Sequence, residues 1–270
     1  MLWPIRNPAK ARRFGMSRLS GVMLHGPPGN AKTTIAKAIC CEGGFAAFFH
    51  LDCATVLSAF VGEAERCLRD TFAQARAQAP AVIFMDEIES FGSKRKKDSG
   101  DADDIGVRLL ATLLTEMDGV ISAENGEQQQ EESFGVCVIG ATNLLHLVDD
   151  ALLRPGRFDL LLEVPNPSAG DREAIIAHCL KRSNSSSGAS DGGSRKLLSL
   201  TADISKLAAM TRDFSGAEIT GAWRDGVVSC LVQHHRSLLL GDAEAAEDDG
   251  VVRLDVTSSV AEKVRELNKR

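Results

Sequence analysis

The chain has 270 residues and a mass of 28.9 kDa, 44% hydrophobic and 25% charged. At about 100–200 residues per domain this is one large domain or one with a small companion, long enough to bury a core without disulfides or structural metal, and the composition excludes a disordered chain, a collagen-like repeat and a coiled-coil rod. With 31 Lys+Arg against 37 Asp+Glu, a net charge of −6, 5% aromatics and no Tyr, neither a broad basic grip on nucleic acid nor a base-stacking surface is expected.

The opening carries Arg6, Lys10, Arg12, Arg13 and Arg18 with no acid before Glu42, as an organelle-targeting leader does. Pro4 and Pro8 break an amphipathic helix, however, and a strand pattern begins at Gly21, so no removable leader is expected. No apolar run approaches the roughly 18 residues of a membrane span. Strand patterns follow at Gly21–His25, Phe45–Leu51, Ala81–Met85, Val136–Ile139 and Leu160–Val164. Helical patterns cover Ala31–Glu42, Glu63–Gln78 and Asp103–Met117. Ala81-Val82-Ile83-Phe84-Met85 is apolar throughout, as in a strand covered on both faces. This alternation predicts an α/β fold with a parallel sheet flanked by helices.

After Pro165-Asn166-Pro167 the strand pattern stops. Arg172–Lys181, Ile204–Thr211 and Ala217–Leu240 read as helices, and Ser215-x-x-Glu218 as a capping box. We expect a boundary near Pro165, with an α/β domain over 1–165 and a small all-α domain over 166–270. Ala123–Ser133, rich in Gln and Glu, and Ser183–Ser194, rich in Ser and Gly, read as solvated inserts, and Asp242–Asp249 as an acidic loop. The seven cysteines, Cys40, Cys41, Cys53, Cys67, Cys137, Cys179 and Cys230, contain no Cys-x-x-Cys pair. Mostly in apolar runs, they read as small buried hydrophobes of a reducing compartment.

Gly26-Pro27-Pro28-Gly29-Asn30-Ala31-Lys32-Thr33, followed by Thr34, leaves a strand and opens a helix. That is the setting of a phosphate-binding loop: amides at a helix N-terminus face phosphate oxygens, Lys32 reaches the β- and γ-phosphates, and the Thr33 hydroxyl holds Mg²⁺. Ala31 stands where the G-x-x-x-x-G-K-[ST] pattern has its last Gly, which is harmless if residue 31 already has helical φ. Asp86 and Glu87 end the apolar strand. At the C-terminal edge of a parallel sheet they would face the phosphates, Asp86 holding Mg²⁺ through water and Glu87 polarising the attacking water. Asn143 ends the next strand, where its amide suits the γ-phosphate or the lytic water. Arg154 and Arg157, around a tight turn, suit a phosphate anion or equally a pair of nearby acids.

These motifs, in this order, resemble AAA ATPases of the meiotic group, which contains valosin-containing protein and katanin. The resemblance runs from Trp3-Pro4 to about Leu240 and is carried most specifically by Leu113–Gly119, Ile139–Asn143 and Leu152–Asp159. It implies a nucleotide domain followed by a helical lid, a hexameric ring, and ATP with Mg²⁺. Asn143 matches the family's sensor, and Arg154 and Arg157 match arginine fingers acting on a neighbour's ATP. Arg108 and Asp118-Gly119 fall at positions of subunit contact. Gly216-Ala217 matches a lid contact to nucleotide, and His178 the position that approaches adenosine. Phe60-Val61-Gly62 is similar to the pore loop that grips extended polypeptide, and Gly92–Asp104, with Lys94-Arg95-Lys96-Lys97, to the second pore loop. Asn30-Ala31 and Ser215–Ile219 resemble the second ATPase domain of the ribosome-maturation members, the diazaborine-target and spermatogenesis-associated type. Relatives carry a segment ahead of the Trp3-Pro4 position, so a truncated front end is expected.

The function expected is an ATP-hydrolysing protein remodeller or unfoldase, with protein substrates and adaptors as partners, no direct nucleic acid and no membrane span, in the cytoplasm or nucleus. One alternative is an ATP-binding scaffold with little hydrolysis, motivated by Ala31 and the short front end. A nucleic-acid motor is the other, opposed by the acidic balance. No His-Glu-x-x-His zinc motif occurs, which disfavours a membrane AAA protease.

Overall fold

The computed structural model describes residues 10, 21–58, 62–91, 102–122, 136–186, 198–240 and 252–269. Two compact units divide the chain, Met1–Val164 and Pro165–Arg270.

In the first unit, β1 (Gly21–His25), α1 (Lys32–Gly43), β2 (Ala47–Asp52), α2 (Cys53–Leu57), α3 (Glu63–Ala77), β3 (Ala81–Asp86), α4 (Ala102–Ser122), β4 (Val136–Thr142) and β5 (Leu160–Glu163) follow in order. The strands form one five-stranded sheet, ordered β2-β3-β4-β1-β5, with every pairing parallel. Alternate residues supply two apolar faces, as the pleat requires. Met23, Ile83, Met85 and Val138 pack with Leu68 and Phe72 of α3 and Leu109 and Leu113 of α4. Val22, Leu24, Val82, Phe84 and Ile139 pack with Ala36 and Cys40 of α1. On α3 the buried Ala64, Leu68, Phe72 and Ala75 recur at helical spacing. With both faces covered, the strands read as unbroken apolar runs.

The sheet order positions the site. Register places His25 opposite Thr142 and Met85 opposite Gly140, so β1, β4 and β3 are neighbours ending at one edge. The loop after β1, the acids ending β3 and the residue after β4 therefore converge by topology alone.

The second unit contains α5 (Ala169–Ser186), β6 (Leu198–Thr201), α6 (Ile204–Met210), α7 (Gly216–Leu240), β7 (Val252–Asp255) and α8 (Thr257–Leu267). Its core joins Ile176, Leu207, Trp223, Val256, Val260 and Val264. It is helical but not all-α: β6 and β7 pair in parallel, Leu198 with Val252 through Thr201 with Asp255. Four residues each is too short a period to stand out in sequence, and the register depends on pairing across more than 50 residues. The helix α5 also runs into the stretch read as an insert. Asn184 explains this: its amide donates to the Leu200 carbonyl at 3.0 Å and accepts from the Leu200 N–H at 2.8 Å, an extra rung for β6. The capping box forms as expected, with Ser215 N donating to Glu218 Oε2 at 2.7 Å and Glu218 N to Ser215 Oγ at 3.3 Å. Among the cysteines only Cys40, Cys53 and Cys137 are buried, while Cys41 and Cys67 are exposed. Helical turn, not local hydrophobicity, decides which of Cys40 and Cys41 faces the sheet.

Candidate active site

The phosphate loop begins at Gly26, whose φ is 141° and where a Cβ would lie 2.3 Å from the Val164 carbonyl oxygen. Only Gly fits there. The loop closes at Ala31, with φ 61° and ψ 27°, in the left-handed region. The condition under which Ala31 would be harmless, a right-handed helical φ, is therefore not met. The helix starts one residue later, and the turn that lifts the chain into it demands the conformation Gly adopts freely. α1 has no side-chain cap and no acid in its first turn, which leaves its leading amides to an anion.

Lys32 is buried, and its ammonium donates to the carbonyls of Gly26 and Pro27, both at 2.8 Å. Burial pushes its pKa down, and the carboxylates of Asp86 and then Glu89 oppose that shift. The Thr33 hydroxyl donates to Asp86 Oδ2 at 3.0 Å, while Asp86 Oδ1 accepts the Glu87 N–H at 3.1 Å. Glu87 is exposed, at φ 53° and ψ 46°. A non-Gly residue held left-handed costs about 1–2 kcal/mol, and such outliers concentrate at functional sites. Asn143 is half-buried at the end of β4, between these two strand ends. Its N–H donates to Glu89 Oε1 at 3.3 Å.

The donor set fits Mg²⁺. Among the described residues no group of three or more His, Cys, Asp and Glu side chains is arranged to hold a metal ion. One hydroxyl and one carboxylate are hard oxygen donors, the small protein contribution typical of a Mg²⁺ whose other ligands are phosphate and water.

Arg157 is held within its own chain. Its Nε and Nη2 donate to the two oxygens of Asp118 at 3.0 and 2.9 Å, and Nη1 donates to the Ala151 carbonyl at 2.7 Å. Those guanidinium hydrogen bonds hold the Asp118 carboxyl below the usual carboxylate range and raise Arg157 in turn. Arg154 and Arg108 are exposed. Gly62 caps α3, at φ 87°, and its N–H donates to Glu65 Oε2 at 2.8 Å, whereas Phe60, Val61 and residues 92–101 of the expected second pore loop lie outside the described residues. In the second unit His178 is exposed on α5, Gly216 opens α7 half-buried, and Ala217 is exposed beside it.

The structure thus brings Gly26–Thr33, Asp86, Glu87 and Asn143 to one sheet edge. It adds Glu89, which sequence reasoning passed over. Its position three residues after Asp86 was the available signal, but its contact with the far strand appears only once β3 and β4 pair.

A phosphate loop opening a helix, beside a strand ending in two carboxylates on a parallel sheet, defines a P-loop nucleoside triphosphatase. Residues 22–166, more than half of the chain, match the family described as "ATPase family associated with various cellular activities (AAA)", and the chain belongs to that family of ATPases. It is 41% identical over 229 residues to cell division control protein 48 homolog B of Arabidopsis thaliana, covering 84% of this chain and 34% of that protein. To ATPase family gene 2 protein homolog A of Homo sapiens it is 35% identical over 241 residues, covering 88% and 24%. Proteasome-activating nucleotidase 1 of Halobacterium salinarum is 34% identical over 247 residues, covering 91% of this chain and 54% of its own length. The chain thus spans from about a quarter to about half of these relatives. No helix among the described residues is long and apolar enough to cross a membrane.

Proposed function

We propose that the chain is an ATP-hydrolysing protein-remodelling module that works in a hexameric ring. The observation that carries this reading is the convergence of Lys32, Thr33, Asp86, Glu87 and Asn143 at one sheet edge. Loop amides from Gly26 to Thr34 take the phosphates, and Lys32 exchanges its two loop carbonyls for phosphate oxygens. Thr33 and Asp86 would hold Mg²⁺, which when bound would supply charge neutralisation at the phosphates. Glu87 orients a water and accepts its proton, and Asn143 holds the γ-phosphate or that water.

Arg154, exposed as a residue acting on another subunit must be, supplies the finger to the neighbour's ATP, with Arg157 beside it. Phe60, Val61 and Gly62 grip a polypeptide in the pore, and adaptors choose it. The similarity to a relative named for activating the proteasome supports a polypeptide substrate. Within the family we assign the chain to the ribosome-maturation type of the meiotic group, in the cytoplasm or nucleus.

The test is native mass measurement with and without ATP, paired with ATPase rate against chain concentration. A hexamer with ATP and a cooperative rise in specific activity are expected. A monomer that binds ATP with a flat, near-zero rate would favour the scaffold reading, to which the left-handed Ala31 lends its one structural observation.

A further inference from the structure

The carboxylate of Glu89 is placed unlike a surface acid. It belongs to the turn Ile88–Ser90 that directly follows the acid pair. One oxygen, Oε1, accepts the N–H of Asn143 at 3.3 Å. The other, Oε2, is buried with no hydrogen-bond partner among the described residues. Leaving a buried acceptor unfilled costs about 1–3 kcal/mol, more for a charged group. The acid supplies the Asn143 N–H with an acceptor that an Ile or Leu would lack, at the cost of one unfilled oxygen. Next to it the Leu144 N–H donates to Thr142 Oγ1 at 3.0 Å, and the Thr142 side chain is buried. Two successive amides at the end of β4 are therefore fixed by side chains, one from β4 itself and one from the turn after β3.

We propose that Glu89 is a positioning residue for ATP hydrolysis: its carboxylate ties the end of β4 to the turn that follows Asp86 and Glu87, and so sets where the Asn143 amide meets the γ-phosphate and the attacking water. This rests on the ATPase reading and on the role of Asn143 given above. Glu89 touches no substrate atom in this account. It fixes the spacing between two groups that do, and small displacements of such groups are costly to rate.

The experiment uses the full chain, comparing Glu89→Ala, Glu89→Gln, Asn143→Ala and the double variant Glu89→Ala/Asn143→Ala. ATP affinity, kcat at saturating ATP and thermal midpoint are read for each. A misplacement of about 1 Å costs about 100-fold in rate, so Glu89→Ala is expected to lose about 10- to 100-fold in kcat with ATP affinity held within about threefold. Glu89→Gln keeps an acceptor for the Asn143 N–H and is expected to restore most of kcat. The double variant is expected to be no slower than Asn143→Ala alone, because residues acting as a unit are not additive. A slow Asn143→Ala beside a full-speed Glu89→Ala would overturn the proposal while leaving the Asn143 reading intact. Multiplying losses in the double variant would do the same. Full kcat in Asn143→Ala would remove the reading on which the proposal rests, and the proposal with it.

Discussion

Replacing Ala31 by Gly tests the conformation at the heart of the phosphate loop. Ala31 sits at φ 61° and ψ 27°, which costs an L-residue about 1–2 kcal/mol. Gly would remove that cost but loses about 0.5–1 kcal/mol more backbone entropy on folding. The net is a gain of about 0.5–1 kcal/mol, which raises Tm by about 1–4 °C in a unit of this size. Gly44→Ala is the mirror control. Gly44 has φ 72° and ψ 29°, with open space around a Cβ, so it takes on the same conformational cost without a contact and melts lower by a similar amount. Nucleotide affinity should barely move in Ala31→Gly, because Gly adopts the same left-handed turn that Ala31 holds. Thermal melts with and without ATP read both quantities, since a bound ligand adds RT ln(1 + [L]/Kd). An unchanged or lower Tm for Ala31→Gly, beside the expected loss for Gly44→Ala, would refute the strain account. A tenfold tighter ATP site would show instead that the Ala31 methyl crowds the phosphates.

Asp118→Asn weakens the grip on Arg157. The pair is half exposed on the acid side, with side-chain exposures of 18% for Arg157 and 52% for Asp118, so screening holds its contribution below about 1 kcal/mol. The folded carboxyl lies below its unfolded value, so the contribution is complete above about pH 4 and fades as pH falls through the lowered folded value. The urea-midpoint difference between wild type and Asp118→Asn should shrink toward pH 3; a difference constant with pH contradicts the pairing. In the second unit, a Cβ on Gly226 would lie 2.5 Å from Val260 Cγ2 and 2.6 Å from Val260 Cα. Ala gains about 1 kcal/mol in helix propensity, but forcing α7 from α8 costs about 1–3 kcal/mol. Gly226→Ala should therefore lower the unfolding midpoint of that unit, and a raised midpoint would show that the helices yield freely.

Much of the first unit was legible because its signals are local. Five apolar runs gave five strands, and the phosphate loop and acid pair sit at fixed offsets from two of them. Ala31 was legible as a departure from the loop pattern, yet its φ was not, because backbone hand at a junction depends on how helix and strand are joined. The Glu89 contact with the Asn143 N–H and the Arg157–Asp118 pair join groups 54 and 39 residues apart along the chain, a distance over which no periodicity carries information. The β6–β7 pair was missed for the same reason, being two four-residue strands with alternating apolar and polar residues that make sense only opposite each other.

On the proposed mechanism, Glu87 orients and deprotonates the water at a site whose binding parts lie elsewhere. Measuring ATP-dependent stabilisation and steady-state turnover of Glu87→Gln side by side tests it most directly. Loss of a positioned general base removes about 10²–10⁴ in rate. Glu87→Gln is expected to keep full ATP-dependent stabilisation with turnover reduced by that factor. Near-normal turnover in Glu87→Gln would contradict it.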